Sequence, residues 1–209
     1  MGQDPSIIET KEGTTMNEYK YDLGAHTREI TTSSASAQTW FDRGLNWVFG
    51  FNHEEAMECF EKALVADATC AMAYWGLAYC IGPDYNKPWE AFTPKELTVS
   101  LTKARQWLAK ADTAPASDVE RALVEALKAR YPADEPAKKE DLSVWSSDYA
   151  IAMRGVYSTP AFKNDDEVTS LFVEAMMCRT PWQMWNPRTG DPVEGADTLE
   201  CTYPTIMYI

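Results

Sequence analysis

Two short stretches of the chain gather side chains able to do chemistry. Asn52-His53-Glu54-Glu55 sets a histidine beside two carboxylates. An imidazole with a carboxylate to orient it is the usual pairing of a general base. Gly82-Pro83-Asp84-Tyr85-Asn86-Lys87-Pro88-Trp89 mixes turn formers, aromatic rings and polar groups, as ligand-contacting loops do. On an acid–base reading, His53, Asp84 and Tyr85 are the catalytic candidates, with Asn86 beside them. The competing reading is structural: His53 caps and packs a helix start, and the loop is a rigid connection.

Other chemistries find less support. A zinc-protease helix would need a second histidine at position 57, where Met57 stands. No metal site and no cofactor are expected. There is no Gly-rich phosphate loop and no GxSxG turn. His26 lies in a polar stretch and is not expected to act. Asp134-Glu135 and Asp165-Asp166-Glu167 read as helix caps or solvated turns, without the spacing of a calcium loop. The five cysteines, Cys59, Cys70, Cys80, Cys178 and Cys201, form no CxxC pair and read as reduced core thiols.

Composition narrows the partners. The chain has 209 residues, 45% of them apolar, with eight tryptophans, enough for a sizeable core. A net charge of −13 disfavours nucleic acid and anionic membrane surfaces, because both demand Lys and Arg. A basic or cationic partner suits it better. No run of about 18 apolar residues stands in the sequence, so no membrane-spanning helix is expected. The first residues lack the apolar centre of a secretory signal, which points to a cytoplasmic protein.

Helical periodicity dominates the middle of the chain. It predicts helices over 37–49, 53–67, 70–81, 94–111, 119–130, 140–156 and 165–178. Three regions follow: a flexible polar lead over 1–22, a helical domain over 23–179 and an irregular tail over 180–209. The tail is broken by Pro181, Pro187, Gly190, Pro192 and Gly195. Its end, Thr202 to Ile209, is apolar and β-branched. It reads as a short extended segment or an exposed sticky end.

The helices carry a repeat. Trp40, Gly44, Trp47, Ala56, Phe60 and Ala63 form one unit, and Tyr74, Ala78 and Ile81 fall 34 residues after the first three. Two antiparallel helices pack closely when small residues sit where their backbones approach. Gly44, Ala56 and Ala63 suit that role, with Trp40, Trp47 and Phe60 filling the space between. The second helix of the next unit arrives late: Ala104, Leu108 and Ala111 stand 48 residues after their counterparts. About 14 residues are therefore inserted, mostly as the 82–94 loop.

This pattern resembles the tetratricopeptide repeat family over roughly 37–111, with Arg43 in place of the usual Leu and Ala68 in place of the closing Pro. The wording of 40–89 looks like a narrower branch of large bacterial and fungal proteins that continue into His-rich segments. The chain looks like the N-terminal half of that architecture. The resemblance implies an all-α, right-handed stack of antiparallel helix pairs. It also implies binding of a protein, a peptide or a small apolar ligand on a concave face. By the matched register that face holds Phe41, Leu45, Phe49, Trp75 and Tyr79, joined by Asp84, Tyr85, Asn86 and Trp89 of the loop. The alternative is that these rings pack beneath later helices. The branch resemblance also allows an enzyme of specialised metabolism, using metal-assisted or acid–base chemistry. An unfinished stack exposes an apolar end and favours self-association.

Overall fold

A computed structural model describes residues 19–136 and 138–196 of the chain. Among them the architecture is all-α. Seven helices follow one another: α1 (Ala35–Phe49), α2 (His53–Ala66), α3 (Ala71–Cys80), α4 (Pro94–Thr113), α5 (Asp118–Lys128), α6 (Asp141–Tyr157) and α7 (Asp166–Met177). Their bounds lie within two residues or so of those the periodicity predicts. The one extended pairing among the described residues is an isolated antiparallel bridge between Trp185 and Pro192 in the tail.

Local chemistry explains where the helices begin. Ser34 and Asn52 accept hydrogen bonds from the amides of Ala37 and Glu55, capping α1 and α2. Thr93 with Glu96, and Ser117 with Glu120, form reciprocal capping boxes for α4 and α5. Asp165 caps α7 through the Val168 amide. The acidic cluster at 165–167 thus begins as the cap its sequence suggests.

Each helix packs on the one before it, and α3 also touches α1 and α5. That alternation is consistent with stacked helix pairs. Nearly every side chain of α3 is buried, as expected of a helix that is apolar all round. Ala104, Leu108 and Ala111 form the buried stripe of α4. Phe60 of α2 lies at the centre of the first three helices. A Cβ placed on Gly44 of α1 would come 2.5 Å from one edge of its ring, and a Cβ on Gly76 of α3 2.5 Å from the other. Only glycine lets both backbones close on the ring. Phe41 packs beside it, with ring centroids 5.6 Å apart.

The described residues before α1, from Tyr19 on, are docked on the helices. Tyr19 and Tyr21 belong to the stretch expected to be a flexible lead, yet both are docked. Trp47 Nε1 donates to the Tyr19 hydroxyl at 2.7 Å, and the Tyr21 ring stands edge-on to Trp47. Arg43 covers the Tyr19 and Trp40 rings at 4.2 and 4.4 Å. Aromatic rings gain more from these contacts than from water, which outweighs the polar character of the stretch. Residues 1–18 and 197–209, with Cys201 and the apolar ending, lie outside the described residues.

From His26 to Thr32 the chain forms a strap. Arg28 Nη1 and Nη2 donate to both Asp165 oxygens at 2.7 and 2.9 Å, and Nη1 also reaches Glu167 at 2.8 Å. His26 meets the same Glu167 at 3.0 Å. Thr31 donates its amide to the buried Glu120 at 2.7 Å. Thr32 donates its hydroxyl to Asp67 at 2.6 Å. Burial works against the Arg28 charge, but Asp165 and Glu167 outweigh it and hold the guanidinium protonated. The strap ties the beginning of the helical domain to the start of α7.

Two stability predictions come from this packing. Gly76→Ala forces a methyl group into the Phe60 ring, an overpacking cost of about 1–3 kcal/mol. It gains back about 1 kcal/mol at most from helix propensity. Urea unfolding should show a net loss, and a variant as stable as the parent would refute the clamp. Arg28→Met leaves two carboxylates facing each other without their cation. A loss of about 2 kcal/mol or more is expected, since both are only partly solvated. An unchanged unfolding midpoint would mean that the strap adds nothing.

Candidate functional site

A half-enclosed cleft of about 650 Å³ opens where the first helices meet the last one. Five segments build it. The α1–α2 turn brings Phe49 and Phe51, the start of α2 brings His53, and the end of α3 brings Tyr79. The loop after α3 brings Asp84 and Tyr85. Along the opposite wall α7 presents Asp166, Thr169, Ser170, Val173, Glu174 and Met177. Those six positions are spaced three and four apart, one continuous stripe of a helix.

The lining is largely apolar, with a few polar groups converging on it. His53 Nδ1 lies 3.5 Å from an Asp84 oxygen, and the ring also hydrogen-bonds the Cys80 backbone. The other Asp84 oxygen accepts the amides of Asn86 and Lys87 at 2.6 and 2.9 Å, which folds the loop into a tight turn. Burial pushes the His53 imidazole below the ordinary histidine value, and Asp84 only partly opposes it. His53 is therefore neutral at pH 7.

Behind the cleft sits a buried cation. Arg130 is 1% exposed and donates to the Pro83 carbonyl at 3.1 Å. Its guanidinium lies 4.0 Å from the Tyr149 ring centre and 5.4 Å from that of Tyr79. Its Nη2 stands 3.6 Å from Glu174 Oε2, a charge contact but too long for a hydrogen bond. Cys178 donates its thiol to the other Glu174 oxygen at 2.7 Å. Burial raises that thiol far above its ordinary range, so it is not a poised nucleophile. Burial likewise raises the Tyr79 phenol well above its usual value.

Phe51 is unusual. Its φ of 55° lies in the left-handed region, which a bulky side chain enters only at a cost, yet its ring is 51% exposed at the cleft. Across the mouth, Trp182 also has a positive φ of 63° and packs its ring on Tyr85 at 5.2 Å.

The residues expected to line a groove divide in two. Phe49, Tyr79, Asp84 and Tyr85 line the cleft, together with His53. Phe41, Leu45, Trp75 and Trp89 do not, because all four are buried in the core. Trp75 stacks on Tyr79, and Trp89 packs against Phe92 and Tyr131. Later helices and the inserted loop cover these rings, so they position the site rather than touch a ligand. Asn86 is exposed on the loop and outside the lining. The α7 wall went unread in the sequence. Its signal was the stripe from Asp166 to Met177, which lies next to the buried stripe that marks the helix. Among the described residues no group of three or more His, Cys, Asp or Glu side chains stands close enough to hold a metal ion. No helix among them is long and apolar enough to cross a membrane.

A titration followed by NMR tests the His53 assignment. With two histidines in the chain, the signals are easily separated. His53 should titrate below 6.5, because its charged form is desolvated. A depressed value means that this group favours folding fully above pH 6.5, and that its contribution is lost as pH falls through the folded value. A value above 6.5 would show that Asp84, and not burial, governs the pair. No family model, curated protein or solved structure matches the chain.

Proposed function

We propose that the protein is a tetratricopeptide-like binding module whose cleft holds a small ligand with a substantial apolar part. The observation that carries this reading is the cleft itself, about 650 Å³ and bounded by Phe49, Phe51, Tyr79, Tyr85, Leu171 and Met177. That volume suits a small molecule, and apolar walls with a few convergent polar groups are the usual make-up of such sites. Phe51 adds support. Left-handed backbone at a bulky residue costs about 1 kcal/mol or more, and such strain gathers where a side chain must face a ligand. A broad peptide groove over the first helices has less support, because Phe41, Leu45 and Trp75 are core residues.

A second reading, acid–base catalysis in the same cleft, rests on the His53–Asp84 pair. A neutral imidazole beside a carboxylate can accept a proton. His53→Gln separates the two readings, since it should spare binding and abolish turnover of a bound substrate.

The neutral fluorescent probe N-phenyl-1-naphthylamine tests the binding reading. Its emission should rise saturably with the protein. Phe51→Gly should keep or slightly raise stability while weakening probe affinity about threefold or more, through lost contact area. Phe49→Ser should weaken it as well. If both variants fold and bind the probe as the parent does, the cleft is not the binding site.

A further inference from the structure

We infer that the ligand of this cleft is uncharged and presents an oxygen acceptor, such as a ketone or ether oxygen, to the Tyr79 hydroxyl, with its apolar body among Phe49, Phe51 and Tyr85. The inference rests on the proposed binding role of the cleft and names the chemical class of its ligand.

Tyr79 supplies the specific feature. It stands in the last turn of α3, lines the cleft and is only 3% exposed. Trp75 stacks on its ring at 5.2 Å, and the Arg130 guanidinium lies 5.4 Å from the ring centre, so the side chain is fixed. Yet its hydroxyl makes no hydrogen bond to any described residue. The phenol of Tyr131 shows the ordinary outcome for a buried hydroxyl, donating to the Ala78 carbonyl at 2.8 Å. The Tyr149 hydroxyl is also unpartnered, but it is closed off in the core and lines no part of the cleft. Tyr79, by contrast, has its remaining surface in the cleft.

A hydroxyl held away from bulk water without a partner is costly. Burial keeps this phenol protonated, and a phenol donates better than it accepts, because the ring draws on its oxygen lone pairs. The missing partner is therefore an acceptor. The rest of the lining sets its charge. Asp84, Asp166 and Glu174 would repel a carboxylate or a phosphate, and no lysine or arginine stands among the lining residues to offset them. Arg130 does not serve an anion either, since it is buried against the Pro83 carbonyl, the Tyr149 ring and Glu174. An ammonium group has no lone pair to take the Tyr79 proton. A neutral oxygen meets both demands, and the apolar remainder of the ligand meets the rings.

Three naphthalenes of similar shape test this by displacing N-phenyl-1-naphthylamine from the full chain. 2-Propionylnaphthalene carries a ketone, 2-propylnaphthalene has a methylene in its place, and 2-naphthoate is an anion. The ratio of ketone to hydrocarbon affinity is compared between parent and Tyr79→Phe, which cancels the different hydration of the two probes. Tyr79→Phe should weaken the ketone about fivefold, as expected for one neutral hydrogen bond, and leave the hydrocarbon within about twofold. Because the deleted hydroxyl has no protein partner, the variant should keep the parent's urea midpoint or exceed it. Naphthoate should bind the parent about tenfold more weakly than the ketone or worse. An unchanged ratio in Tyr79→Phe would overturn the oxygen assignment and leave the cleft as a ligand site. Naphthoate binding as tightly as the ketone would overturn the uncharged class. If neither neutral naphthalene displaces the fluorescent probe from the parent chain, this assignment and the binding role fall together.

Discussion

The clamp of Gly44 and Gly76 on the Phe60 ring is the constraint on which the rest of the structure depends. One side chain of α2 touches the backbones of both α1 and α3, so the three helices share a single packing solution. The consequences reach the cleft directly. With α2 held, His53 at its first turn is placed, and with α3 held, so is Tyr79 at its last. The two rings lie 6.0 Å apart as a result. Phe41, Leu45 and Trp75 fill the remaining volume and give these helices their rigidity.

A second tie completes the site from the other end of the chain. Arg28 binds Asp165 and Glu167 across 137 and 139 residues of sequence. Asp165 serves twice, as the N-cap of α7 and as a partner of that guanidinium. Fixing the start of α7 sets the rotation of its polar stripe, and hence which side chains face Phe49 and Phe51. A helix stack without this tie would keep an open concave face. Here the last helix supplies the far wall.

The electrostatics follow from burial. Taking charges out of water favours neutral forms, so His53, Tyr79, Tyr149 and Cys178 are all biased toward neutrality. Arg130 stays charged because Tyr149 and Glu174 beside it outweigh the same penalty. That leaves Glu174 as the group on which opposing demands meet. One of its oxygens faces the buried Arg130 guanidinium and the other accepts the Cys178 thiol.

Helix number, order and ends were legible in the sequence, because their causes are local. A cap acts over four residues, as Thr93 and Glu96 show, and an apolar stripe repeats within a single helix. The small-residue pattern also foretold that Gly44 and Phe60 would meet. What the sequence could not show was which rings face outward. Phe41 and Phe49 are both aromatic residues on α1, yet one is core and the other lines the cleft. That difference comes from the packing of α2 and α3 around Phe41, while Phe49 in the last turn of α1 stays partly exposed at the cleft. The polar lead misled for the same reason, since Tyr19 and Tyr21 are held by tryptophans that follow them. By itself, then, the sequence determined seven helices, the tight first repeat and a loop rich in polar groups. Only the tertiary structure decided that His53, Asp84 and Glu174 share one cleft, because that depends on α7 being tied across the domain by a partly buried ion pair that no local pattern encodes.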